Sequence, residues 1–271
     1  MDDETRRLRG AAFEAVADVY ERSRPTYPDP AVDWLVGAAP VRVLELGAGT
    51  GKLTGSLLAR GHTVVATDSS GAMLAQLRRN HPDSESLPAR AEQLPFRSLS
   101  FDAVVVAQAF HWFDPVAALP EISRVLRPQG TFALVWNLRD ESVPWVRRLG
   151  TAIGSDRADW VEDDLEAVDT SGLFAPVERQ RFRFWQQLDR DGLLGLVESR
   201  SHIAVLGGDE RARVMTAVEA LYDEYGRGHD GMRLPYVTHC LRTRRTTPAP
   251  PEQEPPQESP DAEGDLLFDF R

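Results

Sequence analysis

One stretch near the start of the chain limits the fold more than any other. Residues 41–46, Val-Arg-Val-Leu-Glu-Leu, form a short and mostly apolar run that is typical of a buried parallel strand. Gly47, Gly49 and Gly51 follow at alternate positions, and an apolar-periodic segment comes next. Glycine lets the backbone turn sharply and lets a ligand approach closely. The stretch therefore predicts a nucleotide-type loop at the carboxyl end of a first strand.

The spacing of the glycines and the charges around them narrow the choice of ligand. Dinucleotide-binding enzymes carry G-x-G-x-x-G, whereas this chain has G-x-G-x-G with Glu45 two residues before the first glycine. A carboxylate disfavours an anionic pyrophosphate and attracts an ammonium or sulfonium group. Lys52 follows the last glycine, but the Gly-Lys-Ser/Thr run of a phosphate-binding loop is absent. We therefore expect Glu45 to face a cationic ligand; the alternative is a buried structural carboxylate that accepts from nearby backbone N–H groups.

A second apolar run, residues 62–67, predicts another strand that ends in Asp68. This aspartate follows the glycines at about the 20-residue distance at which an acidic side chain accepts hydrogen bonds from ribose hydroxyls. The glycine loop and Asp68 together predict a site for a nucleoside-containing ligand.

Three motifs in a fixed order resemble the class I S-adenosylmethionine-dependent methyltransferases. They are residues 44–51, then Asp68-Ser69-Ser70-x-x-Met73, then Ala-Glu-Gln-Leu-Pro-Phe at residues 91–96. Within this superfamily the chain resembles the type-11 group of small-molecule enzymes, which includes trans-aconitate methyltransferase. The similarity runs from about Tyr20 to Trp145.

The resemblance implies S-adenosylmethionine as the cofactor and S-adenosylhomocysteine as its product. Tyr20 and Arg24 would flank the methionine end, and Ala91 and Glu92 would lie near the adenine ring. Many relatives have Asp or Asn where this chain has Arg90, which cannot accept from the adenine amine. The resemblance implies cofactor contacts from Glu45, Gly47, Ala48, Gly49, Gly51, Asp68, Ser69, Met73, Ala91, Glu92, Gln108, Tyr20 and Arg24.

The segment after the fourth predicted strand, residues 101–107, carries His111 and Trp112 as candidate catalytic residues. Open α/β sheets present groups to ligands at such strand ends. One hypothesis makes His111 a general base for a hydroxyl acceptor; a carboxylate acceptor needs no base, and His111 would then only orient it. Trp112 would face the sulfonium or the acceptor through a cation–π attraction of ~0.5–2 kcal/mol. The alternative for both residues is a packing role in a lid.

The same resemblance leads us to expect a small-molecule acceptor. The Asn/Asp-Pro-Pro-aromatic motif of nucleobase amine methyltransferases and the Pro-Cys nucleophile of cytosine-C5 enzymes are both absent. Arginines in the pocket would suit a carboxylate, so we favour O-methylation of a carboxylate or hydroxyl. The predicted acceptor pocket consists of Tyr20, Arg24, Tyr27, His111, Trp112, Asn137, Arg139 and Trp145.

Strands and helices alternate as far as residue 137, which predicts an α/β fold with a doubly wound parallel sheet. Residues 176–188 and 232–242 predict two further strands, which fit the antiparallel pair that ends the resembling seven-stranded, Rossmann-like fold. Residues 127–130 predict a turn. Helices are expected over residues 11–22, 30–37, 52–60, 70–80, 115–126, 143–154, 158–168, 193–205 and 210–225. Asp29 is expected to cap the helix that starts at Pro30, and Asp114-Pro115 is expected to start the helix over residues 115–126.

Three parts are expected along the chain. Residues 1–38 would form an N-terminal helical cover, residues 39–245 the methyltransferase domain, and residues 246–271 an acidic, proline-rich tail. The tail is predicted to be disordered because it has little apolar surface to offset its ordering entropy. Its end, Asp265–Phe270, is either a frayed terminus or a docking peptide for another protein.

Composition argues for a globular protein that binds neither nucleic acid nor membrane. The formal net charge is −11, whereas both partners require a basic face. Arginine far outnumbers lysine, so a local basic patch stays open. Cys240 is the only cysteine, no apolar run is long enough to span a bilayer, and no signal peptide is recognised, so a cytoplasmic location is expected. Two other functions stay open: an NAD(P)-dependent oxidoreductase on a similar sheet, and a methyltransferase-like binding module without turnover.

Overall fold

The computed structural model describes residues 21, 23–154, 159–200, 203, 206–226 and 231–246, with the side chains of residues 159 and 160 excepted. The predicted helix over residues 11–22 lies outside these residues except for residue 21, so Tyr20 is not described. The tail beyond residue 246 also lies outside them. None of the described helices is long and apolar enough to cross a membrane.

The described strands form one seven-stranded sheet in the order β3-β2-β1-β4-β5-β7-β6. Strands β1 to β5 pair in parallel, and β7 pairs antiparallel with both β5 and β6. The predicted doubly wound sheet with a terminal antiparallel pair is therefore confirmed. The strands are β1 (Arg42–Leu46), β2 (Thr63–Asp68), β3 (Glu85–Pro88), β4 (Phe101–Ala107), β5 (Leu126–Arg139), β6 (Glu178–Leu188) and β7 (Met232–Arg244).

Helices cover both faces of the sheet because consecutive residues of a strand point to opposite faces. Val43 and Val105 pack in a core with helix residues Val32 and Leu53, whereas Leu44 belongs to the core on the other side. The helices are α1 (Asp29–Val36), α2 (Lys52–Leu58), α3 (Gly71–Asn80), α4 (Pro115–Val125), α5 (Pro144–Ile153), α6 (Asp159–Thr170), α7 (Arg190–Glu198) and α8 (Gly208–Tyr225). A 3₁₀-helix, Phe110–Trp112, lies between β4 and α4.

Helix starts show where local sequence signals succeed and where they fail. Asp114 caps α4 by accepting from the backbone of Val116 at 3.1 Å, and Pro115 is the first helical residue, as predicted. The expectation that Asp29 caps α1 is wrong, because the helix already includes it and Pro28 is the N-cap. Asp29 instead forms an ion pair with Arg60 at 2.8 Å.

The predicted turn over residues 127–130 lies inside β5 as an irregularity. Phe101 pairs with Leu126, but Ala103 pairs with Thr131, so the intervening residues of β5 leave the regular register. Gln129 adopts a left-handed conformation there, with φ 60°. The strand therefore contains the turn and continues beyond it.

Candidate active site

A cavity of about 390 Å³ lies at the carboxyl ends of β1, β2 and β4. This volume is within the range of small-molecule and cofactor sites, ~300–1,000 Å³. The predicted site residues that line it are Gly47, Gly49, Asp68, Ser69, Met73, Ala91, Glu92, Gln108 and Trp112. The motifs on three separate strands therefore converge on one cavity, as the sequence predicts.

The glycine loop after β1 needs glycine for two different reasons. A Cβ on Gly47 would lie 2.6 Å from Cβ of Ala109, so no larger residue fits between β1 and the segment after β4. Gly49 has φ +56°, and a Cβ there would meet no atom within 4 Å. Because Gly49 also lines the cavity, this open space leaves room for a ligand against its backbone.

Asp68 connects the end of β2 to the glycine loop. Its Oδ2 accepts from the backbone N–H of Gly49, and its Oδ1 accepts from that of Ser70, both at 2.8 Å. Burial raises the pKa of Asp68, while the hydrogen bonds from Ser70, Gly49 and Ser69 act in the opposite direction. A carboxylate has about four lone-pair sites on its two oxygens, so these three hydrogen bonds leave capacity to accept from a sugar hydroxyl in the cavity.

Two residues that sequence analysis missed support the glycine loop from behind. Asn80 donates from Nδ2 to the carbonyl of Thr50 at 2.9 Å, and Nε2 of His81 lies 3.1 Å from the carbonyl oxygen of Gly51. A Cβ on Gly55 would lie 2.6 Å from the His81 ring, so this helical glycine makes room for it. The sequence did contain one signal for this packing, because Gly55 is a glycine inside a predicted helix and such a glycine often marks close packing.

Glu45 lies next to the loop but does not line the cavity. Its side chain is buried, and Oε2 accepts from the Thr54 hydroxyl at 2.5 Å. Burial, more than the nearby Asp68, raises the pKa of Glu45 to about 8, although the Thr54 hydrogen bond lowers it. The carboxyl is therefore mostly protonated near neutral pH, and the expected attraction of an ionised Glu45 for a cation is not provided by this arrangement.

Glu92 fastens the loop after β3 to the segment after β4. Its Oε1 accepts from the backbone of Asp114 at 3.0 Å, and Oε2 accepts from Nε of Arg90 at 3.3 Å. Burial alone would raise the pKa of Glu92, but these hydrogen bonds hold it below its usual value. An ionised carboxylate thus joins two walls of the cavity.

Comparisons with known proteins agree with this geometry. Residues 44–134 match the Methyltransf_11 family model, a methyltransferase domain. The chain is 43% identical over 240 residues to the uncharacterized methyltransferase Rv3342 of Mycobacterium tuberculosis (strain ATCC 25618 / H37Rv), covering 88% of this chain and 97% of that one. The chain belongs to the class I methyltransferase family. This assignment also removes the oxidoreductase alternative.

One solved structure and one further relative are also similar to this methyltransferase. A solved structure from Anaeromyxobacter dehalogenans, described as a candidate type II methyltransferase, is 26% identical, with a TM-score of 0.60 over 82% of this chain and 97% of the other. The malonyl-[acyl-carrier protein] O-methyltransferase of Enterobacter lignolyticus (strain SCF1) is 32% identical over 151 residues, 52% of this chain and 60% of that protein.

The 3₁₀-helix after β4 contains both candidate catalytic residues of the methyltransferase, but only one of them lines the cavity. Trp112 lines the cavity together with Phe113, whereas His111 does not. The His111 and Trp112 rings lie 5.0 Å apart with an interplanar angle of 43°. Phe110 is buried and packs against Phe113 at 5.8 Å. Trp112 is thus placed to meet a ligand, while a catalytic role for His111 stays a prediction.

Gln108 shapes the cavity wall with an unusual backbone conformation, φ 58°. Its N–H donates to the carbonyl of Val135 at 2.9 Å, and its Nε2 donates to that of Asn137 at 3.2 Å. Left-handed conformations of residues other than glycine cost free energy and cluster at functional sites. Both hydrogen bonds run to β5, which holds Gln108 in place.

Asn137 braces the fold and does not line the cavity, contrary to its predicted place in the acceptor pocket. Its Nδ2 donates to the carbonyl of Thr26 at 3.1 Å, and its Oδ1 accepts from the Thr238 hydroxyl at 2.7 Å. The side chain is buried. It therefore links the segment before α1 to β7.

Four more of the residues predicted for the acceptor pocket also lie outside the cavity lining: Arg24, Tyr27, Arg139 and Trp145. Arg24 donates from Nε to the Ser199 hydroxyl at 2.9 Å, and Arg139, whose side chain is 1% exposed, donates to the carbonyl of Gly154 at 2.8 Å. Tyr27 is buried in the core around α1, and Trp145 stacks on Tyr225 at 6.4 Å. Ala48 and Gly51 likewise do not line the cavity. Cofactor contacts from Ala48, Gly51 and Arg24 stay predictions.

Proposed function

We propose that this methyltransferase uses S-adenosylmethionine and methylates a small-molecule acceptor, with a carboxylate or hydroxyl oxygen favoured. The observation that carries the proposal is the cavity that Gly49, Asp68 and Glu92 line together. It combines an open glycine backbone, a carboxylate that would accept from ribose hydroxyls, and a loop that would edge the adenine.

The described residues fit each part of this cofactor. Asp68 would hold the ribose hydroxyls through its remaining lone pairs, and the backbone around Gly49 would hold the amino-acid portion. Ala91 and Glu92 would edge the adenine. When bound, the sulfonium supplies an activated methyl group for in-line displacement. The protein itself needs only to align the acceptor and exclude water.

The aromatic wall, Trp112 and Phe113, supports a role in orienting the acceptor and shielding the site. An aromatic face attracts cations, so Trp112 suits the positive charge that the donor carries before transfer. The O-methyltransferase activity named for the Enterobacter relative supports an oxygen nucleophile. A carboxylate acceptor would be ionised without help, which agrees with the position of His111 outside the cavity lining.

A turnover assay tests the proposal. The full chain is incubated with S-adenosylmethionine and a panel of small carboxylic acids and alcohols, and S-adenosylhomocysteine release is followed. We expect release that depends on a carboxylate or hydroxyl compound and falls at least tenfold in Asp68→Ala. Binding of the cofactor without turnover on any acceptor would instead support a binding module, and no cofactor binding would refute the proposal.

A further inference from the structure

The outer strand of the sheet carries a row of basic and aromatic side chains on one face. Arg179, Arg181, Arg183 and Trp185 alternate along β6, so the two-residue period of a strand places them on the same side. All four are exposed, and Trp185 is 63% exposed. We call these four residues the β6 row.

The β6 row has unused positive charge in a chain whose net charge is −11. Arg179 pairs with Glu162 of α6 at 3.1 Å. Within the described part of the chain, the guanidinium groups of Arg181 and Arg183 form no ion pair or hydrogen bond. His239 on β7 pairs with Arg181; burial lowers the pKa of His239, the Arg181 charge lowers it further, and Glu162 raises it. The two arginines therefore carry positive charge that no described carboxylate neutralises by direct contact.

The backbone edge beside the β6 row is also open. β6 is the last strand of the sheet and pairs with β7 alone among the described strands. An exposed edge strand is a template for the addition of another strand. The opposite face of β6 carries Phe182 and Phe184, both half-buried. A strand that added here would therefore meet arginines on one face and phenylalanines on the other.

We propose that the C-terminal segment of this same chain, residues 265–270, docks as a strand along the outer edge of β6. Its sequence, Asp-Leu-Leu-Phe-Asp-Phe, has the matching alternation. Asp265 and Asp269 share one face with Leu267, and the other face is wholly apolar: Leu266, Phe268 and Phe270. The aspartates would lie beside the arginines of the β6 row, and the apolar face beside Phe182 and Phe184.

The length of the connecting chain permits this docking. Residues 247–264 join the last described part of the chain to the segment, and β7 ends beside the start of β6, since Arg242 pairs with Glu178. Those 18 residues span up to ~60 Å when extended, against ~37 Å for the whole length of β6. Short linkers give effective concentrations near ~1 mM, so even a weak contact would be populated.

Hydrogen–deuterium exchange on the full chain tests the proposal. The measured quantity is the exchange rate of backbone amides in β6, compared between the wild type and Asp265→Arg/Asp269→Arg. We expect exchange to be about fivefold faster in the variant, because the added strand no longer protects the edge. Equal rates would overturn the proposal.

A charge swap tests the same docking proposal more specifically. Arg181→Glu/Arg183→Glu should also lose protection, and combining it with Asp265→Arg/Asp269→Arg should restore it. Arg97→Glu/Arg213→Glu changes two other exposed arginines and should leave β6 exchange unchanged. Protection that rises with protein concentration would show docking onto a second copy and would refute docking within one chain. The outcome does not depend on methyl transfer.

Discussion

The carboxylate of Asp68 accepts a hydrogen bond from the backbone N–H of Gly49 at 2.8 Å, although 19 residues separate them in sequence. This contact links the two features that the sequence identifies first, the glycine loop and the aspartate at the end of β2. It shows that they form one wall of a single cavity. It also means that Asp68 organises the loop in addition to any contact with a ligand.

Gly47→Ala tests the close approach of the glycine loop to the segment after β4. The new Cβ would overlap Ala109 and would sit on a residue with φ +66°. We expect the free energy of unfolding to fall by about 2–5 kcal/mol in chemical denaturation. Gly172→Ala is a matched control, since it has φ +69° but no atom within 4 Å, and should cost only about 1–2 kcal/mol.

A second substitution distinguishes the cost of the overlap with Ala109 from the cost of the positive φ at residue 47. Ala109→Gly in the Gly47→Ala background removes the overlapping Cβ and should recover about 1–3 kcal/mol. If the double variant were no more stable than Gly47→Ala, the contact with Ala109 would not be the cause.

Glu45→Gln tests the buried carboxyl group through the pH dependence of stability. The pKa of Glu45 is about 8 in the folded protein against an ordinary 4.5, so the folded state keeps a proton that the unfolded state releases between these pH values. The wild type therefore loses stability as pH rises through this window, and Gln does not. The difference in unfolding free energy should grow by up to about 1.4 kcal/mol per pH unit in favour of the variant.

Thermal unfolding of the two proteins from pH 4 to pH 9 provides the measurement. Glu85→Gln, at an exposed carboxylate on β3, is the control and should stay parallel to the wild type. A constant offset between wild type and Glu45→Gln across the whole range would show that Glu45 is ionised in the folded state.

Asn137→Ala tests the brace between β5, β7 and the segment before α1. The substitution leaves the fully buried Thr238 hydroxyl and the Thr26 carbonyl without their partner, which should cost about 1–3 kcal/mol of unfolding free energy. Thr238→Val should cost less when Asn137 is already Ala, because both residues serve one hydrogen bond. Strictly additive losses in this double-mutant cycle would argue against the brace.

The fold was largely predictable because most strands of this sheet are apolar runs that can be recognised in the sequence. The apolar run Phe101–Ala107 predicts β4 with its observed bounds, since a strand buried on both faces is continuously apolar. The glycine loop and Asp68 were likewise predictable, because the loop follows directly after β1 and Asp68 is the last residue of β2. Their convergence follows from the parallel order of β1 and β2.

The roles of the residues predicted for the acceptor pocket were less predictable, because they depend on contacts between segments that are distant in sequence. Nothing near Arg139 in sequence shows that the carbonyl of Gly154 accepts from its guanidinium. Similarly, the partners of Asn137 lie 111 and 101 residues away, at Thr26 and Thr238. The support of the glycine loop by His81 comes from 30 residues beyond Gly51. Residue type alone could not distinguish these structural roles from ligand contacts.

Titration calorimetry with S-adenosylmethionine tests the central claim most directly. The wild type should bind the cofactor at one site and NAD⁺ not at all. Asp68→Ala should weaken binding by about 10–100-fold. A hydrogen bond from a ribose hydroxyl to a carboxylate contributes about 1.5–3 kcal/mol, and its loss corresponds to a change of this size. Asp83→Ala, which removes an exposed carboxylate from a turn, should bind like the wild type. Equal affinity of Asp68→Ala and the wild type, or no binding by either, would contradict the account.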